Sequence, residues 1–129
     1  MAYVTMIVLL ALVQYLYFGV AVGRARGRHG INAPAVSGDE VFERFFRAHQ
    51  NTLEQLVVFI PSIYACGYYA NEMLAVAGGV VFLIGRTWYF RNYIRDPASR
   101  GGGTIVTMLA SITLLVAGLI GALRSILQA

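Results

Sequence analysis

Two charge-free apolar runs, 2–23 and 102–123, stand near the two ends of the chain. Each reaches the roughly 20 residues with which a helix crosses about 30 Å of hydrocarbon. Between them, 56–71 and 73–85 are also uncharged, and each becomes long enough to span if it extends past a charged residue at one end. The pattern predicts four helices at about 3–23, 39–70, 73–94 and 103–125, forming one transmembrane domain over 1–129. The expected fold class is all-α, an integral membrane four-helix bundle.

Local signals place the helix ends. The Gly- and Pro-containing stretch 27–38 reads as a connection, and Ser37 or Asp39 can cap the second helix. Asp39, Glu40 and Glu43 gather in its first turns, where the positive end of the helix dipole favours carboxylates. A helix from there to about residue 70 is some 45 Å long, so its first turns stand outside the hydrocarbon. Pro61 is expected to bend it. Asn71 and Glu72 make a tight turn, and the stretch 96–103, with Pro97 and three consecutive glycines, is expected to break the third helix before the fourth begins. Gly78, Gly79, Gly85, Gly118 and Gly121 allow close helix contact.

Composition agrees with lipid as the solvent. At 58% hydrophobic and 12% charged, a chain of 129 residues is too apolar to cover itself with polar surface. All ten basic residues are Arg, and nine fall in two stretches, 24–47 and 86–100, with Arg124 the tenth. Basic loops after the first and third helices predict cytoplasmic loops and both termini outside. With no Lys or Arg before the first apolar run, that run reads as a retained helix rather than a secretory signal. A bacterial inner membrane is the expected location. The topology by itself accounts for the charge, so no nucleic acid partner is expected.

Cys66 is the single cysteine, which excludes an intrachain disulfide and a multi-cysteine metal site. It reads as a small buried thiol in an apolar helix. His29 and His49 lack partners at metal-binding spacing, so no metal is expected.

The informative stretch is FERFFRAHQNTLEQ, residues 42–55. It places Arg47, Asn51 and Glu54 at i, i+4 and i+7 on one helix face. Glu54 precedes an almost unbroken apolar run, where an unpaired carboxylate is costly and needs a partner. A second polar stripe, Arg86, Tyr89 and Tyr93, follows at i, i+3 and i+7 on the third helix near the same boundary. The two stripes can face each other. A structural reading pairs Glu54 with Arg86 and treats the tyrosines as an interfacial aromatic belt. A functional reading lets arginines clamp the carboxylates of a small zwitterion, Glu54 accept from its ammonium group, and the membrane supply an apolar co-substrate.

The segments RAHQNTLEQ, 47–55, and GRTWYFRNYIRDPASR, 85–100, resemble the signature regions of the MAPEG family, membrane-associated proteins in eicosanoid and glutathione metabolism. The first is most similar to the microsomal glutathione transferase branch. The second also resembles the leukotriene-forming branch in the spacing of Arg86, Tyr89 and Tyr93 and in its later Arg. Gln55 departs from both branches. The resemblance implies a homotrimer with a glutathione site between neighbouring subunits. In it Arg47, Asn51, Glu54, Arg86, Tyr89 and Tyr93 hold the tripeptide from one subunit, and Arg26 and His49 reach it from the next. It further implies that Arg100 activates the glutathione thiol, so that the thiolate attacks hydrophobic electrophiles or lipid hydroperoxides from the bilayer. Glutathione is then the co-substrate, and the partners are membrane lipids and other copies of the chain.

Two other readings compete. The same family contains a non-catalytic lipid-binding scaffold, against which the polar stripes and Arg100 argue. Small four-helix multidrug exporters have a similar size, but they carry an essential Glu in helix one, where residues 2–23 here have no carboxylate.

Overall fold

The computed structural model of the chain describes residues 1–129. It contains four helices, α1 (Ala2–His29), α2 (Glu40–Tyr69), α3 (Glu72–Arg95) and α4 (Gly101–Leu127), with one 3₁₀ turn, Pro97–Arg100, between the last two. Asp39 caps α2 by accepting from the Phe42 amide, and Asn71 caps α3 by accepting from the Leu74 amide. α1 ends at Gly30, whose φ of 68° is the left-handed conformation that glycine adopts without strain. Glu72, in the first turn of α3, ion-pairs with the amino terminus of Met1 at 2.7 Å. This contact ties the short α2–α3 turn to the start of α1.

The expected break after the third helix falls at Asp96, which is extended, and the 3₁₀ turn, but the glycines that close the stretch are themselves helical. Gly101, Gly102 and Gly103 form the first turn of α4, directly after the 3₁₀ turn. Close packing explains the absence of side chains at Gly102, where a Cβ would meet the Trp88 ring, and at Gly103. A Cβ on Gly103 would stand 2.6 Å from the Tyr89 backbone, so α4 crosses α3 at van der Waals contact between main chains. The other expected glycine contacts follow the same logic. A Cβ on Gly79 would meet Ile7 and Ile63, and one on Gly121 would meet the Tyr69 carbonyl.

The main core joins all four helices through Val4, Ile7 and Ala11, Phe59 and Ile63, Phe82, and Leu114. Phe59 and Phe82 stack at its centre with ring centroids 3.8 Å apart. A second cluster, nearer the basic loops, holds Phe18, Ala48, Tyr89, Phe90 and Tyr93. Only 30 of 129 residues are buried, although 58% are hydrophobic, so much of the apolar side-chain surface points outward. Leu9, Leu16, Ile84, Leu109 and Leu119 are among these exposed residues. Three segments, Ala2–His29, Glu72–Arg95 and Pro97–Leu127, are long and apolar enough to cross a membrane. α2 carries five charges between Glu40 and Glu54 and falls outside that set, although its second half is apolar.

Candidate functional site

α2 and α3 run antiparallel, which brings Ala48 and Asn51 to the level of Tyr89 and Thr52 to that of Arg86. Arg86 is 1% exposed and donates to the Thr52 hydroxyl at 2.7 Å. Its guanidinium lies 3.9 Å from the centroid of the Tyr89 ring. Asn51 donates to the Tyr89 hydroxyl at 2.6 Å. Arg86, Tyr89, Asn51 and Thr52 therefore form one polar network inside the bundle.

The network continues outward along α3. Tyr89 stacks on Tyr93 with centroids 5.5 Å apart, and the Arg100 guanidinium stands 6.0 Å from the Tyr93 centroid. A cation, two phenol rings and a second cation thus form a column from the bundle interior to the surface. Its geometry follows from the i, i+3, i+7 spacing on α3 and from the 3₁₀ turn that brings Arg100 back over Tyr93. Arg100 also donates to the Pro97 carbonyl at 3.1 Å.

At the outer end of this column is a cavity of about 330 Å³, lined by Glu40, Glu43, Arg44, Arg47, Tyr93, Pro97 and Arg100. Three guanidinium groups and two carboxylates in one cavity match the charges of a zwitterion that bears more than one carboxylate. Arg44 also holds the frame of the cavity. It donates to Glu40 at 3.0 Å, and toward the last carbonyls of α3, on Ile94 and Arg95, at 3.5 and 3.4 Å. These contacts satisfy helix-end acceptors where α3 turns toward Arg100.

The expected site residues thus separate into groups. Arg47, Tyr93 and Arg100 share the cavity, and Asn51, Tyr89 and Arg86 form the adjoining network. Glu54 joins neither. It is exposed and makes no hydrogen bond or ion pair within the chain, so the structural pairing with Arg86 is replaced by the bond from Arg86 to Thr52. The reason is rotational. Residues 52 and 54 point about 200° apart around a helix of 3.6 residues per turn, and only the first faces α3.

Arg26 and His49 also lie apart from the cavity. Arg26 donates to the Ala35 carbonyl at 2.6 Å and covers the Phe42 ring at 4.8 Å. His49 stacks on Tyr15 at 4.2 Å between centroids, next to Gly19, and its Nε2 is buried without a partner. Both stand on the α1 side of α2.

Thr52, Arg44 and Glu40 were not among the expected site residues. Arg44 precedes Arg47 by three residues, on the same helix row, and that spacing alone could have singled it out. Thr52 carries no comparable signal, because a hydroxyl in a helix is most often bonded to its own backbone, as Thr52 also is through Ala48.

A sequence model of the MAPEG family matches residues 4–120. An uncharacterized protein of Synechocystis is 39% identical over 122 residues, covering 95% of this chain and 86% of its own. Microsomal glutathione S-transferase 2 of Bos taurus is 36% identical over 115 residues, covering 89% of this chain and 79% of the relative. The Homo sapiens protein of the same name is 37% identical over 122 residues, covering 93% and 82%.

Proposed function

The chain belongs to the MAPEG family, and from that premise we propose that it is a membrane-bound glutathione transferase that works as a homotrimer. In this reading α2 is the fourth span from about Leu56 onward, both termini lie outside, and the basic loops face the cytoplasm of a bacterial inner membrane. Glutathione binds where two protomers meet. Arg47, Arg86 and Asn51 with the two tyrosines hold it from one side, and Arg26 and His49 reach it from the neighbour.

The exposure of Glu54 supports an intersubunit site. A carboxylate beside exposed Leu53, Val57 and Val58, with no partner in its own chain, gains one when a cationic group of the ligand or of a neighbour reaches it.

The observation that carries the proposal is the column from Arg86 through Tyr89 and Tyr93 to Arg100, which ends at a cavity lined by Arg47. Arg100 stands at the open end of this column and is the residue we assign to the thiol. A free thiol has a pKa near about 8.5 and is mostly protonated at neutral pH. A guanidinium beside sulfur favours the ionised form, and each unit of pKa corresponds to about 1.4 kcal/mol. The thiolate then attacks an electrophilic carbon that arrives laterally from the bilayer, expelling its leaving group, or it attacks the terminal oxygen of a lipid hydroperoxide and breaks the O–O bond, which leaves the lipid alcohol and a glutathione sulfenic acid that a second glutathione converts to the disulfide and water. No side chain of the protein is covalently modified, and rate comes from thiolate stabilisation and from holding both reactants together.

Titration of the purified protein with glutathione, followed by thiolate absorbance in the ultraviolet, tests binding and ionisation together. A saturable rise in absorbance is expected for the wild type and not for Arg100→Ala. Silence of both proteins, with no bound glutathione by equilibrium dialysis, would favour the non-catalytic lipid scaffold.

A further inference from the structure

We propose that a groove on the outward face of α3 binds an anionic phospholipid, with the phosphate held by Arg91 and Arg95. The groove has a volume of about 510 Å³ and is lined by Leu83, Ile84, Thr87, Trp88, Arg91 and Arg95, with Asn92 at the same rim. It lies apart from the cavity of Arg47 and Arg100, with which it shares no lining residue.

The depth of these residues fits a lipid. α3 is a candidate membrane span beginning at Glu72. At about 1.5 Å per residue, Arg91 stands about 29 Å along the axis from Glu72 and Arg95 about 35 Å, against a hydrocarbon thickness of about 30 Å. Arg91 is therefore at the boundary and Arg95 in the headgroup layer, while Leu83 and Ile84 lie about 12 Å deeper, in the acyl region. Trp88, partly exposed, sits between them, where indole rings favour the interface.

Charge then selects the ligand. Neither Arg91 nor Arg95 donates a side-chain hydrogen bond or forms an ion pair, and the two are one helical turn apart on one face. The other polar groups of the groove are engaged. Thr87 accepts from Gln14 at 2.8 Å and donates to Leu83, and the Asn92 amide faces the Ser99 carbonyl at 3.5 Å. No carboxylate lines the groove, in contrast to the cavity that holds Glu40 and Glu43. Two free guanidinium groups above an apolar trough favour a ligand with net negative charge and an attached chain, and offer nothing to an ammonium group.

The test uses delipidated full-length protein in detergent. Thermal unfolding is followed while phosphatidylglycerol, phosphatidylcholine or sodium phosphate is added, for the wild type, R91Q/R95Q, each single variant, and R24Q/R124Q as a charge-matched control. Phosphatidylglycerol is expected to raise the midpoint of the wild type and the control. Its apparent affinity is expected to fall about thirtyfold in the double variant, as two surface arginines at about 1 kcal/mol each imply, and about fivefold in each single variant. Equal stabilisation by phosphatidylcholine, an equal loss in R24Q/R124Q, or an undiminished response of R91Q and R95Q would overturn the site. A full effect of sodium phosphate alone would reduce it to a simple anion site and overturn the lipid assignment.

Discussion

Arg86 donates its hydrogen bond to Thr52, at 2.7 Å, and not to the carboxylate two residues further along α2. A buried guanidinium that relies on a neutral hydroxyl is sensitive to the loss of that hydroxyl. Thr52→Val keeps the shape and removes the acceptor. It should lower stability by about 1–3 kcal/mol, read as a lower midpoint of thermal unfolding in detergent. Thr52→Ser should lose only about 1 kcal/mol, for the missing methyl group. Thr52→Val combined with Arg86→Met should be more stable than Thr52→Val alone, because no charge is then left without a partner.

Asn51 and Tyr89 share a 2.6 Å hydrogen bond across the α2–α3 interface. Asn51→Ala and Tyr89→Phe should each cost about 0.5–1.5 kcal/mol, and the double variant should cost less than the sum by about 0.5 kcal/mol or more. A double-mutant cycle on unfolding midpoints checks the coupling. The same cycle run on glutathione affinity shows whether the pair acts on the ligand as a unit.

Neighbouring glycines at the start of α4 should respond to alanine with opposite signs. A Cβ on Gly101 meets nothing within 4 Å and its φ of −55° is helical, so Gly101→Ala should stabilise by about 0.4–1 kcal/mol. A Cβ on Gly103 would press on the Tyr89 main chain at 2.6 Å, which cannot yield like a side chain. Gly103→Ala should cost about 1–3 kcal/mol and weaken glutathione binding by displacing Tyr89. Unfolding midpoints of the two variants, measured side by side, decide it.

If Arg100 stabilises the glutathione thiolate, the pH profile of conjugation should carry its signature. The bound thiol has a depressed pKa in the wild type, so kcat/KM for the electrophile at saturating glutathione rises through that lower value and levels off above it. In Arg100→Ala the rise should move up by about one to two units, toward about 8.5, with a loss of about 8- to 25-fold at neutral pH that shrinks as pH increases. Conjugation of an aryl halide across a pH series measures both.

Much of the architecture was legible because its causes are local. Charge-free runs of spanning length mark α1 and the body of α4, and Asp39 and Asn71 stand where a short polar side chain can receive the first free amides of a helix. The stripe of Arg86, Tyr89 and Tyr93 was also readable, since residues at i, i+3 and i+7 share a face whatever the helix packs against. The glycine run at the start of α4 was not, because glycines that loosen a free chain are also those that let two helices touch. At Gly103 it is the α3 backbone opposite that leaves no room for a side chain.

What the sequence determined by itself is therefore the set of helices, the family, and the rows of polar side chains along each helix, all properties of spacing within a segment. Only the tertiary structure decided which member of a row meets which partner. The rotation of α2 against α3 turns Thr52 and Asn51 inward and leaves Glu54 outside, and the turn after α3 sets Arg100 over Tyr93. Both depend on interhelical packing between residues about 35 positions apart or on the path of a corner, and a periodicity along one helix carries no information about its rotation relative to another.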